Sequence, residues 1–265
     1  MNHQRKHQTN NMTNRSCFCF LLAISGVFYG RNSQAQMSIG FHAGLLITNV
    51  DKTPLDANEP VPENISGFQV AVPFEFAMGK VLALQPEIMI GSHGALQQSN
   101  SDVTQLGIRT VSSLKARYQV NTLEIPLLLK LKFGPEALKF HVLAGPSIGF
   151  GLSGKFRTQT SIFSTLSNGF VLLDEKSDQT LNAKFVSEGY QANAVAADEF
   201  AVTQANLNAH FGAGVSINLG GPYLFLDGRF IQGLSDLRPE ASGDTQNDIY
   251  KSNRIGLSLG VMFPL

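Results

Sequence analysis

Tryptophan is absent from this chain of 265 residues, and cysteine nearly so: Cys17 and Cys19 are its only two, both close to the start. An excess of charge is missing as well. Twenty basic residues balance twenty acidic ones, which removes the electrostatic case for nucleic acid as a partner. Past residue 36 no run approaches the ~20 apolar residues that a transmembrane helix requires. Histidines never fall at a metal-ligand spacing such as H-E-x-x-H, so no metal, cofactor or catalytic group is assigned.

What is present begins with an export signal. Arg5, Lys6 and Arg15 form a basic start, "CFCFLLAISGVF" an apolar core, and Ser33 and Ala35 the small residues that precede a cleavage site. The expected division is a cleaved signal peptide over residues 1–35 and an exported domain over 36–265. Cleavage after Ala35 removes both cysteines, so disulfides and thiol chemistry are excluded from the mature chain.

The exported part alternates. In "NTLEIPLLLKLKF" (121–133) Leu123, Ile125, Leu127, Leu129, Leu131 and Phe133 fill the odd positions, while Glu124, Lys130 and Lys132 sit at even ones. A helix would scatter those charges around its circumference. A strand puts them on one face. Seven further segments read the same way: "MSIGFHAGL" (37–45), "FQVAVPFEF" (68–76), "VLALQPEIMIG" (81–91), "KFHVLAGPSIGFG" (139–151), "NLNAHFGAGVSINL" (206–219), "YLFLDGRFIQGL" (223–234) and "RIGLSLGVMF" (254–263). Each is about the length of a tilted strand that crosses a bilayer.

The connections alternate too. Short turns at 77–80, 134–137 and 220–222 are interleaved with long polar stretches at 46–67, 92–118, 152–205 and 235–253. Tight turns on one side and extended loops on the other are the rhythm of a bacterial outer-membrane barrel. The fold class expected is therefore all-β: an eight-stranded antiparallel up-and-down transmembrane β-barrel with short periplasmic turns and long outer loops.

Glycine decides which face looks inward. Gly40, Gly44, Gly145, Gly149, Gly151, Gly212, Gly214, Gly256 and Gly260 share the polar face. Water gives no reason to prefer glycine, which weakens strands, whereas the crowded lumen of a small barrel does. The polar face is thus the interior. It carries an expected network of Glu75, Glu87, Glu124, Lys130, Lys132, Lys139, His141, His210, Asp227 and Arg229. Buried charges persist only when paired, so carboxylates and cations are expected to interleave. Pro73, Pro86, Pro126 and Pro146 fall inside strands and are read as bulges or bends.

Other motifs yield to plainer readings. "GFGLSG" (149–154) matches G-x-G-x-x-G, and Asp174 follows, but the helix that should come next is missing. Gly149 and Gly151 are better read as small lumen residues. His42, His141 and His210 share the inward parity, and His93 is read as a loop residue. The stretch 152–205 is long for a connection and reads either as a solvated loop or as a surface for a partner. Within it "ANAVAADEFAV" (192–202) suggests a short helix.

"LEIPLLLK" (123–130), "VLAGPSIGF" (142–150), "GAGVSINL" (212–219), and the Asp227 and Arg229 pair followed by "GLSDL" (233–237) resemble the PorT-like outer-membrane β-barrel family of Bacteroidota-type bacteria. The resemblance spans essentially the whole mature chain. It implies a small exported barrel in the outer membrane, and PorT itself is implicated in protein secretion across that membrane.

The leading expectation is a non-enzymatic outer-membrane scaffold. It contacts outer-membrane lipid and engages a protein partner through outer loops or periplasmic turns, with no cofactor, and no spacing names a small-molecule ligand. Two alternatives stand beside it: a lipid-modifying enzyme at the bilayer surface, and a soluble exported lipocalin-like binder whose apolar face lines a ligand cavity.

Overall fold

A computed structural model describes residues 37–53, 61–242 and 248–265. The export signal expected over 1–35 lies outside the described residues. The alternating segments all become strands, and several run much further than their alternation does. In chain order they are β1 (Met37–Thr53), β2 (Ile65–Ala77), β3 (Leu82–Gln105), β4 (Ile108–Phe133), β5 (Leu138–Leu166), β6 (Val171–Val186), β7 (Glu199–Thr203), β8 (Ala205–Asn218), β9 (Tyr223–Gly233) and β10 (Ile249–Pro264).

Eight of these close into a ring in the order β1, β2, β3, β4, β5, β8, β9, β10 and back to β1, every neighbouring pair antiparallel. The closing seam runs from Ser38 opposite Pro264 to Thr53 opposite Ile249. Closure leaves the barrel wall with no free edge. β6 and β7 stand outside the ring, β6 antiparallel to β5 and β7 parallel to β6.

The faces divide as the glycines require. On β4, Glu124, Leu128 and Lys130 are buried while Ile125, Leu127, Leu129 and Leu131 are exposed, and β10 repeats the pattern with Arg254 and Ser258 inside and Ile255, Leu257 and Leu259 outside. This overturns the lipocalin-like alternative, which needs the apolar face inward: here the apolar faces point outward and the charged face inward. Two glycines show why small residues are needed. A Cβ on Gly260 would collide with the Phe225 ring and lie 2.6 Å from His42 Cβ, and one on Gly214 would meet the Asp227 carboxylate and lie 2.6 Å from His141 Nε2.

The prolines are not bulges. Each interrupts one ladder, and the register resumes unchanged beyond it. Pro73 opens the gap between the pairs Ile39–Phe74 and His42–Ala71, and Pro86 the gap between Pro73–Glu87 and Phe76–Leu84. Pro126 does so between Pro86–Leu127 and Met89–Glu124, and Pro146 between Pro126–Ser147 and Leu129–Ala144. A missing N–H removes a hydrogen bond, but the proline φ is compatible with extended backbone, so nothing shifts. The register shift in the ring falls elsewhere. Asn121 faces Ser153 while Thr122 faces Gly151, which squeezes Leu152 outward and switches the inward parity of β5 from Gly149 and Gly151 to Gly154.

Two expected loops are largely strand. β3 and β4 meet in a hairpin whose turn is Leu106 and Gly107, and β5 and β6 form a second hairpin beside it. The helix expected over 192–202 is instead a single 3₁₀ turn, Ala192–Ala194, followed by β7.

Candidate functional site

The inward residues of the ring assemble into stacked polar clusters. Nearest the short turns, Glu75 accepts hydrogen bonds from Lys132 Nζ at 2.5 Å, Lys130 Nζ at 3.1 Å and the Tyr223 hydroxyl at 3.1 Å. Lys130 also donates to Gln85 Oε1 at 3.0 Å and lies 5.6 Å from the centre of the Phe225 ring. Next comes Arg229, whose guanidinium grips Glu87 with both terminal nitrogens at 2.7 and 2.8 Å and reaches Asp227 at 3.1 Å. Asp227 pairs with His141 at 2.6 Å, and His42 stands 3.5 Å from Glu87.

Toward the long-strand end Glu124 is the hub. Arg254 donates to it at 2.8 and 3.4 Å, Asn208 at 3.0 Å, and Ser147 by a short bond, while His210 Nε2 lies 2.7 Å from the same carboxylate. The parity of the strands creates these meetings: the inward carboxylates and cations share one face of the wall. Glu75, Glu87 and Glu124 meet cations from other strands, whereas Asp227 meets Arg229 two residues along its own strand as well as His141 from β5.

Nine of the ten expected interior residues fall in these clusters. Lys139 does not; it is half-buried at the short-turn rim, beside Glu136 and Ser216. Sequence reasoning missed Arg254, although its parity matches Gly256 and Ser258, because it stood at the very start of its segment. His93, expected in a loop, is buried within β3. The run "GSHG" reads as punctuation, yet β3 passes straight through it.

Ser147, His210 and Glu124 invite comparison with a hydrolytic triad. The geometry differs. His210 turns the same nitrogen, Nε2, toward both Ser147 Oγ at 3.0 Å and Glu124 Oε1 at 2.7 Å, and its Nδ1 has no partner among the described residues. A Ser–His–acid relay needs the two ring nitrogens on different partners. All three side chains are also buried.

Beyond the ring the chain builds a second feature. β3 last pairs with β2 at Gly91, apart from a bridge between Glu63 and Leu96, but its pairing with β4 continues to Gln105. β4 stays paired with β5 to Leu166, and β5 with β6. The result is a four-stranded sheet continuous with the wall, which projects past it by roughly 30 Å at the rise of a strand. Ion pairs hold its exposed faces. Arg109 forks onto Asp102 at 3.0 and 2.6 Å, and Arg157 onto Asp178 at 3.0 Å and through a second, short bond. Each arginine holds its aspartate below the ordinary carboxylate range.

At the far tip Leu106 is fully exposed, and Phe170, Val171, Leu172 and Leu173 on the adjacent hairpin are exposed as well. Ser167 N–H donates to Gly107 O at 3.0 Å, tying the two tips together. Leu106 has φ of 50° and is the one non-glycine residue with positive φ among the described residues.

A family model described as "Outer membrane protein beta-barrel domain" matches residues 32–238. No curated protein matches the chain. Among solved structures, Ail, the attachment invasion locus protein of Yersinia pestis in complex with the heparin analogue sucrose octasulfate, is 12% identical. The match covers 87% of this chain and 100% of that one, with a TM-score of 0.29. Neisserial surface protein A is 10% identical over 86% of this chain and 97% of that one, with a TM-score of 0.34. The strand pairing of the ring itself defines the fold.

Proposed function

This chain belongs to the outer-membrane protein β-barrel domain family, and we propose that it is a non-enzymatic scaffold of the outer membrane whose projecting sheet docks a protein partner outside the cell. Residues 1–35 act as its cleaved export signal. The outward leucines and phenylalanines of the ring contact lipid, the short turns lie in the periplasm, and the interior charges hold the barrel shut. An accessory role in secretion or assembly, which the PorT-like resemblance implies, falls within this reading.

Leu106 is the observation that carries it. A two-residue hairpin turn with positive φ at both positions favours Asn-Gly, and leucine there costs about 1–2 kcal/mol relative to a residue at ease in that conformation. A strained, fully exposed leucine beside four more exposed apolar side chains has no stabilising role in the isolated chain. Exposed apolar clusters of this kind mark contact surfaces. The strand ladder beneath it, which projects past the ring, supports a position of the cluster clear of the bilayer.

The test is a photo-crosslinking residue at Leu106 or Phe170, compared with one at Leu129 on the barrel wall, in native cells. A discrete protein adduct from the tip positions that is absent from Leu129 supports docking. Adducts from neither tip position, under conditions where Leu129 labels lipid, would sink it.

A further inference from the structure

Where the wall ends and the projecting sheet begins, the barrel mouth holds an apolar cavity of about 350 Å³. Its floor is the cluster of Val50, Ala95 and Leu237, with Tyr118 and Tyr250 packed against it. β7 supplies Phe200, Ala201 and Val202 to its lining and is tied to the segment that carries Leu237: Thr203 N–H donates to Leu237 O at 2.9 Å, and Leu237 N–H to Tyr250 O at 2.8 Å. The Phe200 ring on β7 stands edge-on to Tyr118, with ring centres 5.7 Å apart, and tilted 5.9 Å from Phe156. Three aromatic rings from three strands thus frame one side.

Such a space at the end of a barrel otherwise filled by ion pairs is unusual. Packed interiors leave few voids larger than a water molecule, and a dry apolar cavity of about 150 Å³ already admits benzene. This one holds a molecule roughly twice that size. Polar handles are few, as in ligand sites generally. Tyr118 makes no side-chain hydrogen bond among the described residues, and Lys52, Gln97 and Arg238 are the other polar residues of the lining apart from Tyr250, with Lys52 paired to Asp248 at 3.2 Å.

We propose that the mouth cavity is a binding site for a small, largely apolar ring compound of roughly a dozen non-hydrogen atoms, whose hydrogen-bonding oxygen is met by the Tyr118 hydroxyl. The aromatic frame suits a flat ring, since edge-to-face contacts are available from Tyr118 and Phe200 together. β7 lines the site through Phe200, Ala201 and Val202, and the Glu124 hub is not among its lining residues. The site uses none of the tip residues, so it stands or falls independently of partner docking.

The test uses the full mature protein in lipid nanodiscs, titrated calorimetrically with 2-naphthol and with naphthalene, against empty nanodiscs to subtract partition into lipid. The expected result is saturable binding of 2-naphthol with one site per chain, weakened about tenfold or more in Ala116→Phe, which fills the cavity. Tyr118→Phe is expected to abolish the preference for 2-naphthol over naphthalene. Phe200→Ala lies outside the ring and leaves the barrel closed, so it serves should Ala116→Phe fail to fold; it too should weaken binding several-fold. Uptake that matches empty nanodiscs, or saturable binding unchanged in both cavity variants, would overturn the site. A preference for 2-naphthol that survives in Tyr118→Phe would overturn the role given to its hydroxyl.

Discussion

Replacing Arg229 with leucine removes the cation that holds two buried carboxylates. Glu87 loses bonds of 2.7 and 2.8 Å and Asp227 one of 3.1 Å, with all three side chains shielded from water. Each charge-assisted bond is worth about 1.5–3 kcal/mol, but the carboxylates keep part of their support. Glu87 retains Gln85 Nε2 at 2.6 Å, and Asp227 retains His141 at 2.6 Å. The net loss is therefore placed at about 3–5 kcal/mol, the usual range for breaking a buried pair from one side. With a urea slope of about 2 kcal/mol per molar, the unfolding midpoint falls by about 2 M. The absence of tryptophan makes far-UV circular dichroism and the heat-dependent gel shift the suitable readouts. Adding Glu87→Leu to Arg229→Leu should recover stability relative to Arg229→Leu alone, because it removes one of the stranded charges. A midpoint unchanged in Arg229→Leu, or a double variant that loses the sum of the single effects, would refute the interior pairing as drawn.

Other consequences are as specific. Gly260→Val drives its side chain into the Phe225 ring and His42, and is expected to destabilise the barrel by about 3 kcal/mol or prevent its gel shift; normal folding would contradict the crowded lumen. Leu106→Asn relieves the turn, so thermal stability should hold or rise slightly, by about 1 kcal/mol, while crosslinking through Phe170 is lost. In the projecting sheet, Asp102 and Asp178 are held below their usual value of 3.8 by Arg109 and Arg157. Because the folded value is the lower one, the stability these pairs lend is present above that usual value and disappears as the pH falls through the depressed one. Amide exchange in residues 97–117 and 153–181 should thus be steady from about pH 5 to 8 after correction for intrinsic rates, and quicken only in stronger acid.

The ring was legible because burial on one face leaves a period of two, and Gly260 and Gly214 reveal which face is crowded. The projecting sheet was not legible. In "QQSNSDVTQ" (97–105) both faces meet water, so neither selects apolar residues, and a paired strand reads like a polar loop. β5 concealed its course for another reason: Leu152 is squeezed out of the ladder, and a pattern read with fixed parity breaks there. Most of the interior residues could be named from parity, but which cation meets which carboxylate depends on the stagger between strands. Glu124 finding Arg254 from the last strand, rather than a neighbour in sequence, is fixed only once the ring closes. His93 shows the limit of glycine as punctuation, since Gly91 and Gly94 flank it without ending the strand.

The most direct test of the membrane placement uses single cysteines, since none occurs among the described residues. Leu106→Cys at the tip and Gly221→Cys in a short turn are treated with a membrane-impermeant maleimide on intact cells and again after the outer membrane is permeabilised. The expected result is labelling of Leu106→Cys in intact cells and of Gly221→Cys only after permeabilisation. Labelling of Gly221→Cys in intact cells with Leu106→Cys protected would invert the barrel, and equal labelling of both in a soluble fraction would contradict a transmembrane protein altogether.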